Sequence, residues 1–214
     1  MFVLNQQNTI ASQFIADLRN VHIQTDRLRF RKNMERLGEI LAYEISKTLD
    51  YKEVSVQTPL ASIKVAQLID QPVLIGILRA ALPFYQGFLN YFDDADSGFI
   101  GAYRKPEEAL EIEIDLLYKA APSITGKDVI LIDPMLATGK SIFASVKQLL
   151  ENGNPKMIHI AGLIAAPEGV QYLQQNIDVP FKLWLGALDQ KLNDRSYIVP
   201  GLGDAGDLCF GDKI

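Results

Sequence analysis

Residues Val129-Ile130-Leu131-Ile132-Asp133-Pro134-Met135-Leu136-Ala137-Thr138-Gly139-Lys140-Ser141 join a short apolar run to a turn, and the turn to an amphipathic run. The apolar part reads as a buried strand that delivers one carboxylate, Asp133, to a sharp bend. The bend is rich in small and hydroxyl-bearing residues, and a helix is expected to begin straight after it. The first turn of a helix has N–H groups without intrahelical partners and carries a partial positive charge, so it seats a phosphate well. A carboxylate beside that seat can hold ribose hydroxyls or a metal. The stretch is read as a ribose-phosphate site.

Working outward, the same alternation repeats. Residues 73–78, Val-Leu-Ile-Gly-Ile-Leu, are continuously apolar and short enough for a strand buried on both faces. Arg79 lies at its carboxyl end, and a helix is expected over 81–92. Residues 99–103 form another strand ending in Arg104. Residues 105–110 read as an exposed excursion, and 111–118 alternate acidic with apolar residues, as a half-exposed antiparallel strand does. Together, 104–120 are expected to form a flap outside the main sheet. Beyond the opening stretch (strand 128–133, helix 139–151, stopped by Gly153), a strand is expected over 157–165, a helix over 166–176 and a last strand over 181–185. Strand and helix alternating from 73 to 185 predict an α/β fold with a mostly parallel central sheet flanked by helices.

The flanks are less regular. Residues 1–30 are weakly periodic, with a basic cluster of Arg27, Arg29, Arg31 and Lys32 and with Arg19 upstream, read as a solvated face or a subunit contact. Met34, Leu37, Leu41 and Ile45 predict an amphipathic helix over 33–49. Residues 54–56 read as a short strand and 63–69 as a helix. The tail from 186 to 214 is rich in Gly and Asp. Its apolar anchors, Trp184 just before it and Tyr197, Ile198, Leu202 and Phe210 within it, argue for an ordered segment.

The chain has 214 residues, 48% of them hydrophobic, and a formal charge of −5, with a pI near 5.1. That is enough for one large domain with a substantial core. A basic face of the kind that binds nucleic acid is not expected. No apolar run approaches the ~20 residues of a membrane helix, and the first residues lack a secretory pattern, so the expected location is the cytoplasm. The single cysteine, Cys209, suits a reducing compartment. With no histidine nearby in sequence, it reads as a small packed side chain rather than a nucleophile. His22 and His159 are isolated, and His159 reads as a core residue.

Gly139-Lys140-Ser141 invites comparison with the nucleoside-triphosphate loop. That pattern needs a glycine five positions before Gly139, where this chain has Pro134. Ligands of open α/β sheets bind at the carboxyl edge of the strands. Three strand ends here carry chemistry: Arg79, Arg104 and Asp133. Two arginines beside an acidic, hydroxyl-rich phosphate loop point to a doubly phosphorylated anion.

The loop from Asp133 to Ser141 resembles the phosphoribosyl-diphosphate loop of the type I phosphoribosyltransferases. Three further segments narrow the resemblance to the uracil branch: Ile77-Leu78-Arg79-Ala80, Ala165-Ala166-Pro167-Glu168-Gly169, and the tail YIVPGLGDAGDLCFG over 197–211. It spans nearly the whole chain. It implies one type I phosphoribosyltransferase domain over 1–214, with an N-terminal helical arm over about 1–50, a flap over about 104–120 and a base-recognition hood over about 186–214.

The resemblance also implies the reaction, uracil plus phosphoribosyl diphosphate giving uridine monophosphate and diphosphate. Ala137, Thr138, Gly139, Lys140 and Ser141 would wrap the 5′-phosphate, with Pro134, Met135 and Leu136 completing the loop. Asp133 would hold the ribose hydroxyls. Arg79 would hold the diphosphate, and Arg104 would close over it. Tyr197, Ile198, Gly203 and Ala205 would meet uracil, with Asp204 between base and ribose-phosphate. Arg104, Asp133 and Asp204 would form the catalytic set. Magnesium would arrive on the diphosphate, and a homodimer is implied, with the N-terminal helix as a candidate interface. The chain departs from the usual pattern at Lys140, Ala81 and Pro83, where glycines are common. Two alternative readings are a phosphoribosyltransferase for another base and a uridine-nucleotide sensor that binds RNA. The acidic balance counts against the second.

Overall fold

The computed structural model describes residues 1–104 and 114–212, with side chains for all of these except 102–104 and 114–119. In chain order the elements are β1 (Phe2–Val3), α1 (Ile10–Arg19), α2 (Arg27–Ser46), β2 (Tyr51–Gln57), β3 (Ser62–Leu68), β4 (Val73–Leu78), α3 (Leu82–Leu89), β5 (Ser97–Arg104), β6 (Ile114–Ala120) and β7 (Asp128–Ile132). They continue with β8 (Met135–Leu136), α4 (Lys140–Leu150), β9 (Met157–Ala165), α5 (Pro167–Asn176), β10 (Phe181–Leu188), β11 (Lys191–Leu192), β12 (Ile198–Val199) and α6 (Ala205–Phe210).

The central sheet has the order β1-β10-β9-β7-β4-β5-β6, with β8 also pairing β9. All its pairings are parallel except β5 with β6. Side chains alternate across a strand, and the apolar runs split accordingly. Leu74, Ile130 and Ile132 pack on one face with Phe30, Met34, Leu37, Leu41, Phe84 and Phe88 of α2 and α3. Val73, Ile75, Ile77, Val129 and Leu131 pack on the other with Ile142, Val146 and Leu149 of α4 and Leu173 of α5. Both faces are covered, which is why these strands are apolar throughout. Helices α2 and α3 cross at Gly38 and Gly87, where a Cβ on Gly87 would lie 2.8 Å from Gly38 Cα.

Four expectations are corrected. Residues 63–69 do not form a helix. Residues 63–68 lie in β3, antiparallel to β2 with Val54 opposite Val65, and Ile69 follows the strand. The β-branched Ile63 and Val65 alternate with Lys64 and Ala66, and a turn at 58–61 reverses the chain, with Thr58 Oγ1 accepting the N–H of Ala61 at 3.0 Å. Second, β6 is not outside the main sheet. It is the sheet's edge strand, paired with β5 from Phe99 opposite Ala120 to Arg104 opposite Ile114. The expected excursion at 105–110 and the start of the strand expected over 111–118 lie outside the described residues. Third, residues 1–30 contain β1, which adds to the sheet with Phe2 opposite Trp184, and α1, capped by Thr9. Fourth, Arg19 and Arg31 are tied within the chain, Arg19 to Asp189 and Arg31 to the carbonyl of Cys209 at 2.7 Å, while Arg27, Arg29 and Lys32 are exposed as a solvated face requires, Arg29 also pairing with Asp17.

The tail forms the β11–β12 hairpin followed by α6. Trp184, Ile198, Leu202, Ala205 and Cys209 are buried. Tyr197 and Phe210, expected as anchors, are exposed instead. Tyr197 lies in the turn just before β12, and Phe210 ends α6, its ring 5.9 Å from the Arg79 guanidinium carbon.

Candidate active site

Because the strands run parallel, their carboxyl ends meet at one edge. Gly76 of β4 lies opposite Ile132 of β7, and Leu78 lies opposite Gly101 of β5. Asp133, Arg79 and Arg104 therefore end neighbouring strands. The side chain of Arg104 lies outside the described residues.

The loop after β7 is fixed by its backbone. The N–H of Asp133 donates to the Ala161 carbonyl at 3.1 Å, and the Pro134 carbonyl accepts from both Leu163 and Ile164 at 3.0 Å. Asp133 Oδ1 accepts the N–H of Met135 at 3.1 Å. The residues Met135 and Leu136 form β8 against β9, and the Leu136 carbonyl accepts the N–H of Ala166 at 2.9 Å. The segment 165–169 is thus the buttress of the loop: a Cβ on Gly169 would collide with the Ala137 carbonyl.

Gly139 caps α4 with φ +77°, a left-handed conformation that a side chain disfavours. No side chain caps this end, and the N–H of Lys140 makes only a long 3.4 Å contact to Thr138 Oγ1. The first turn of α4 therefore presents backbone donors. Thr138, Lys140 and Ser141 are half-buried around it. Ala81 and Pro83 start α3: Ala81 is its N-cap, and Pro83 is in its first turn.

Arg79 follows a cis Leu78–Arg79 peptide. Its Nη2 donates to Asp207 Oδ1 at 2.9 Å and to the Gly211 carbonyl at 2.8 Å. Its buried Nε finds no acceptor among the described residues. In the tail, Asp204 caps α6 by accepting the N–H of Asp207 at 3.0 Å. Gly206 brings the two chemistries together: a Cβ there would lie 3.1 Å from Asp204 Oδ1 and 3.7 Å from Arg79 Nε. Ile198 and Ala205 are buried, and Gly203 is exposed with φ +96°. A cleft of about 620 Å³ borders Gly203 and Asp204 on one side and Gln24, Thr25 and Arg27 of the N-terminal arm on the other. It contains none of the loop residues 133–141.

A family model described as uracil phosphoribosyltransferase matches residues 5–212. The chain belongs to the uracil phosphoribosyltransferase family. It is 47% identical over 211 residues to a uracil phosphoribosyltransferase of Porphyromonas gingivalis, covering 99% of this chain and 98% of the relative. It is 37% identical to that of Pyrococcus furiosus, over 89% of this chain and 82% of the relative. Among solved structures, an Aquifex aeolicus protein superposes along the full length of both chains with a TM-score of 0.86 at 30% identity. A hypoxanthine-guanine phosphoribosyltransferase of Bacillus anthracis shares the fold with a TM-score of 0.53 at 16% identity, over 76% of this chain and 82% of that one. The fold is that of the type I phosphoribosyltransferases.

Within this family frame, sequence reasoning missed the partners of the site residues. Asp207, which binds Arg79, sits among five tail aspartates with nothing to single it out. Asp189 was read only as part of a Gly- and Asp-rich tail. His159 behaves as read: Trp184 Nε1 donates to its Nδ1 at 3.1 Å, and burial lowers its pKa. Cys209 is buried, and burial pushes its thiol up to about 12. It is protonated at neutral pH and is no nucleophile.

Proposed function

We propose that this chain transfers the phosphoribosyl group of phosphoribosyl diphosphate to uracil, giving uridine monophosphate and diphosphate. The observation that carries the reading is the convergence of Asp133, the open first turn of α4, Arg79 and Asp204 at one sheet edge, in a chain that matches the uracil family almost end to end.

The 5′-phosphate sits on the backbone donors at 137–141, with Thr138 and Ser141 adding hydroxyls. Asp133 accepts from the ribose hydroxyls. Arg79 meets the diphosphate, and Arg104 closes over it from the end of β5. The displacement at the anomeric carbon builds positive charge on the sugar and negative charge on the leaving group, so aligned cations and fixed donors lower the barrier. Uracil's reacting nitrogen is weakly acidic and needs no strong base. Backbone groups of Ile198, Gly203 and Ala205, next to Tyr197, present a fixed donor–acceptor pattern to the base. Cytosine would leave buried groups unpaired, which costs about 1–3 kcal/mol per group. Asp204 sits between base and sugar.

When bound with the diphosphate, magnesium would supply positive charge to the leaving group, since the ion keeps its waters and takes few protein ligands. Among the described residues no three His, Cys, Asp or Glu side chains gather to hold a metal ion. The reading places the enzyme in the cytoplasm. No helix among the described residues is long and apolar enough to cross a membrane.

The enzyme is further proposed to be a homodimer or larger homo-oligomer. The apolar stripe of α2 is taken up by α3 and the sheet within the chain. Among the described residues the β2–β3 hairpin pairs with no other strand, and it exposes Tyr51, Leu60 and Ile63. A lone two-stranded hairpin is marginal in water, so a second copy covering it fits better than solvent.

The site assignment is tested by calorimetric titration with magnesium phosphoribosyl diphosphate. Wild type binds, and Asp133→Asn and Arg79→Ala lose affinity by about tenfold or more. Unchanged affinity in both variants would remove the proposed site.

A further inference from the structure

The N-terminal arm grips the hood at one backbone unit. The Asp189 side chain, at the end of β10, is 5% exposed and accepts both guanidinium ends of Arg19, Oδ1 from Nη2 at 2.6 Å and Oδ2 from Nη1 at 2.8 Å. Asp189 Oδ2 also accepts the N–H of Gly201 at 2.7 Å. Arg19 Nη1 donates in turn to the Gly201 carbonyl at 2.9 Å. One partly buried ion pair therefore engages both polar groups of Gly201. One residue on, the Leu202 carbonyl accepts from Gln24 Nε2 at 3.0 Å, and the same nitrogen is anchored on the Leu18 carbonyl at 3.0 Å. Gly201 has φ +61°, and a Cβ there would collide with the Ile198 carbonyl. The loop is thus tight, and it leads directly into Gly203, Asp204 and Ala205.

A loop that reads a base with backbone groups has no rotamers with which to compensate for a shift. A misplacement of about 1 Å of such groups can cost on the order of a hundredfold in rate or affinity. The forked pairing of arginine with a carboxylate fixes direction as well as distance, which lysine cannot reproduce. We infer that Arg19, Asp189 and Gln24 are positioning residues for uracil: they set where the 203–205 backbone stands without touching either substrate. This inference rests on the reading of the hood as the base site.

The experiment is steady-state kinetics on the full-length enzyme, varying uracil and phosphoribosyl diphosphate separately. Arg19→Lys and Asp189→Asn raise the uracil KM by about ten- to a hundredfold. Gln24→Ala raises it less. The KM for phosphoribosyl diphosphate is unchanged in all three. Arg19→Lys and Gln24→Ala keep the test open if Asp189→Asn fails to fold. Parallel increases in both KM values, or folded variants with a wild-type uracil KM, overturn the inference. Gly203→Ala separates the two levels. If it raises the uracil KM while the arm variants do not, the positioning role is wrong and the hood reading stands. If neither moves the uracil KM, the hood reading fails and the positioning role falls with it.

Discussion

Arg79 is held by Asp207. The guanidinium donates to the carboxylate at 2.9 Å and, from the same nitrogen, to the carbonyl of Gly211 at 2.8 Å. The arginine assigned to the diphosphate is therefore engaged by the end of the tail. An ion pair and an incoming diphosphate compete for the same donor. Asp207→Asn removes the charge that holds Arg79 while leaving the N–H of residue 207 to cap α6 against Asp204. The pair is partly exposed, so its grip is modest. The variant is expected to lower the KM for phosphoribosyl diphosphate by about threefold, the scale of an exposed ion pair, with the uracil KM unchanged. Initial-rate measurements check it, and a raised KM would show that Asp207 helps present the arginine instead of competing for it.

The loop depends on Gly139. Its φ of +77° and the Gly169 carbonyl, 2.9 Å from where a Cβ would stand, leave no room for a side chain. Gly139→Ala is expected to cost about 1–3 kcal/mol of stability and to weaken binding of phosphoribosyl diphosphate, since the strain falls where the phosphate is seated. Urea denaturation with a parallel titration measures both. A variant as stable as wild type, with unaltered binding, would show that the loop relaxes freely.

Cys209 supplies a pH dependence. Its thiol pKa, raised to about 12 by burial, lies above the value of an unfolded cysteine. The unfolded chain therefore releases this proton first as pH rises. The stability linked to the thiol is complete below the unfolded pKa and is lost as pH climbs towards the folded value. Cys209 Sγ lies 3.3 Å from Met34 Sδ in the core, so Cys209→Ala is less stable at neutral pH, but its melting temperature falls less steeply above about pH 9. The native thiol is also expected to resist an aromatic disulfide reagent until the chain is denatured. Rapid labelling of the folded protein would place Cys209 in contact with solvent.

The parallel core was legible because its strands are short, mainly apolar runs, and two of them, β4 and β7, lead straight into Arg79 and Asp133. The strand–turn–helix form of residues 129–150 was legible because a buried strand and an amphipathic helix constrain the loop from both sides. The β3 strand was not. Its apolar residues, Ile63, Val65, Ala66 and Leu68, do not alternate strictly with polar ones, and only pairing with β2 across the turn at 58–61 separates strand from helix. The two-residue β1 has too little sequence to show a period, yet Phe2 stacks against Trp184 with ring centroids 5.4 Å apart. Partnerships over long separations, such as Arg19 with Asp189 or Arg79 with Asp207, leave no local signal at all. They arise because the fold carries the arm and the tail to the same edge.

The central claim is that the sheet edge and the hood together select uracil. The most direct measurement is a panel of uracil, cytosine, hypoxanthine and guanine, each supplied with phosphoribosyl diphosphate and magnesium and scored for nucleotide product, with Asp133→Asn as control. The account predicts uridine monophosphate from uracil alone, and loss of that product in the variant. Nucleotide formed from a purine and none from uracil would contradict it.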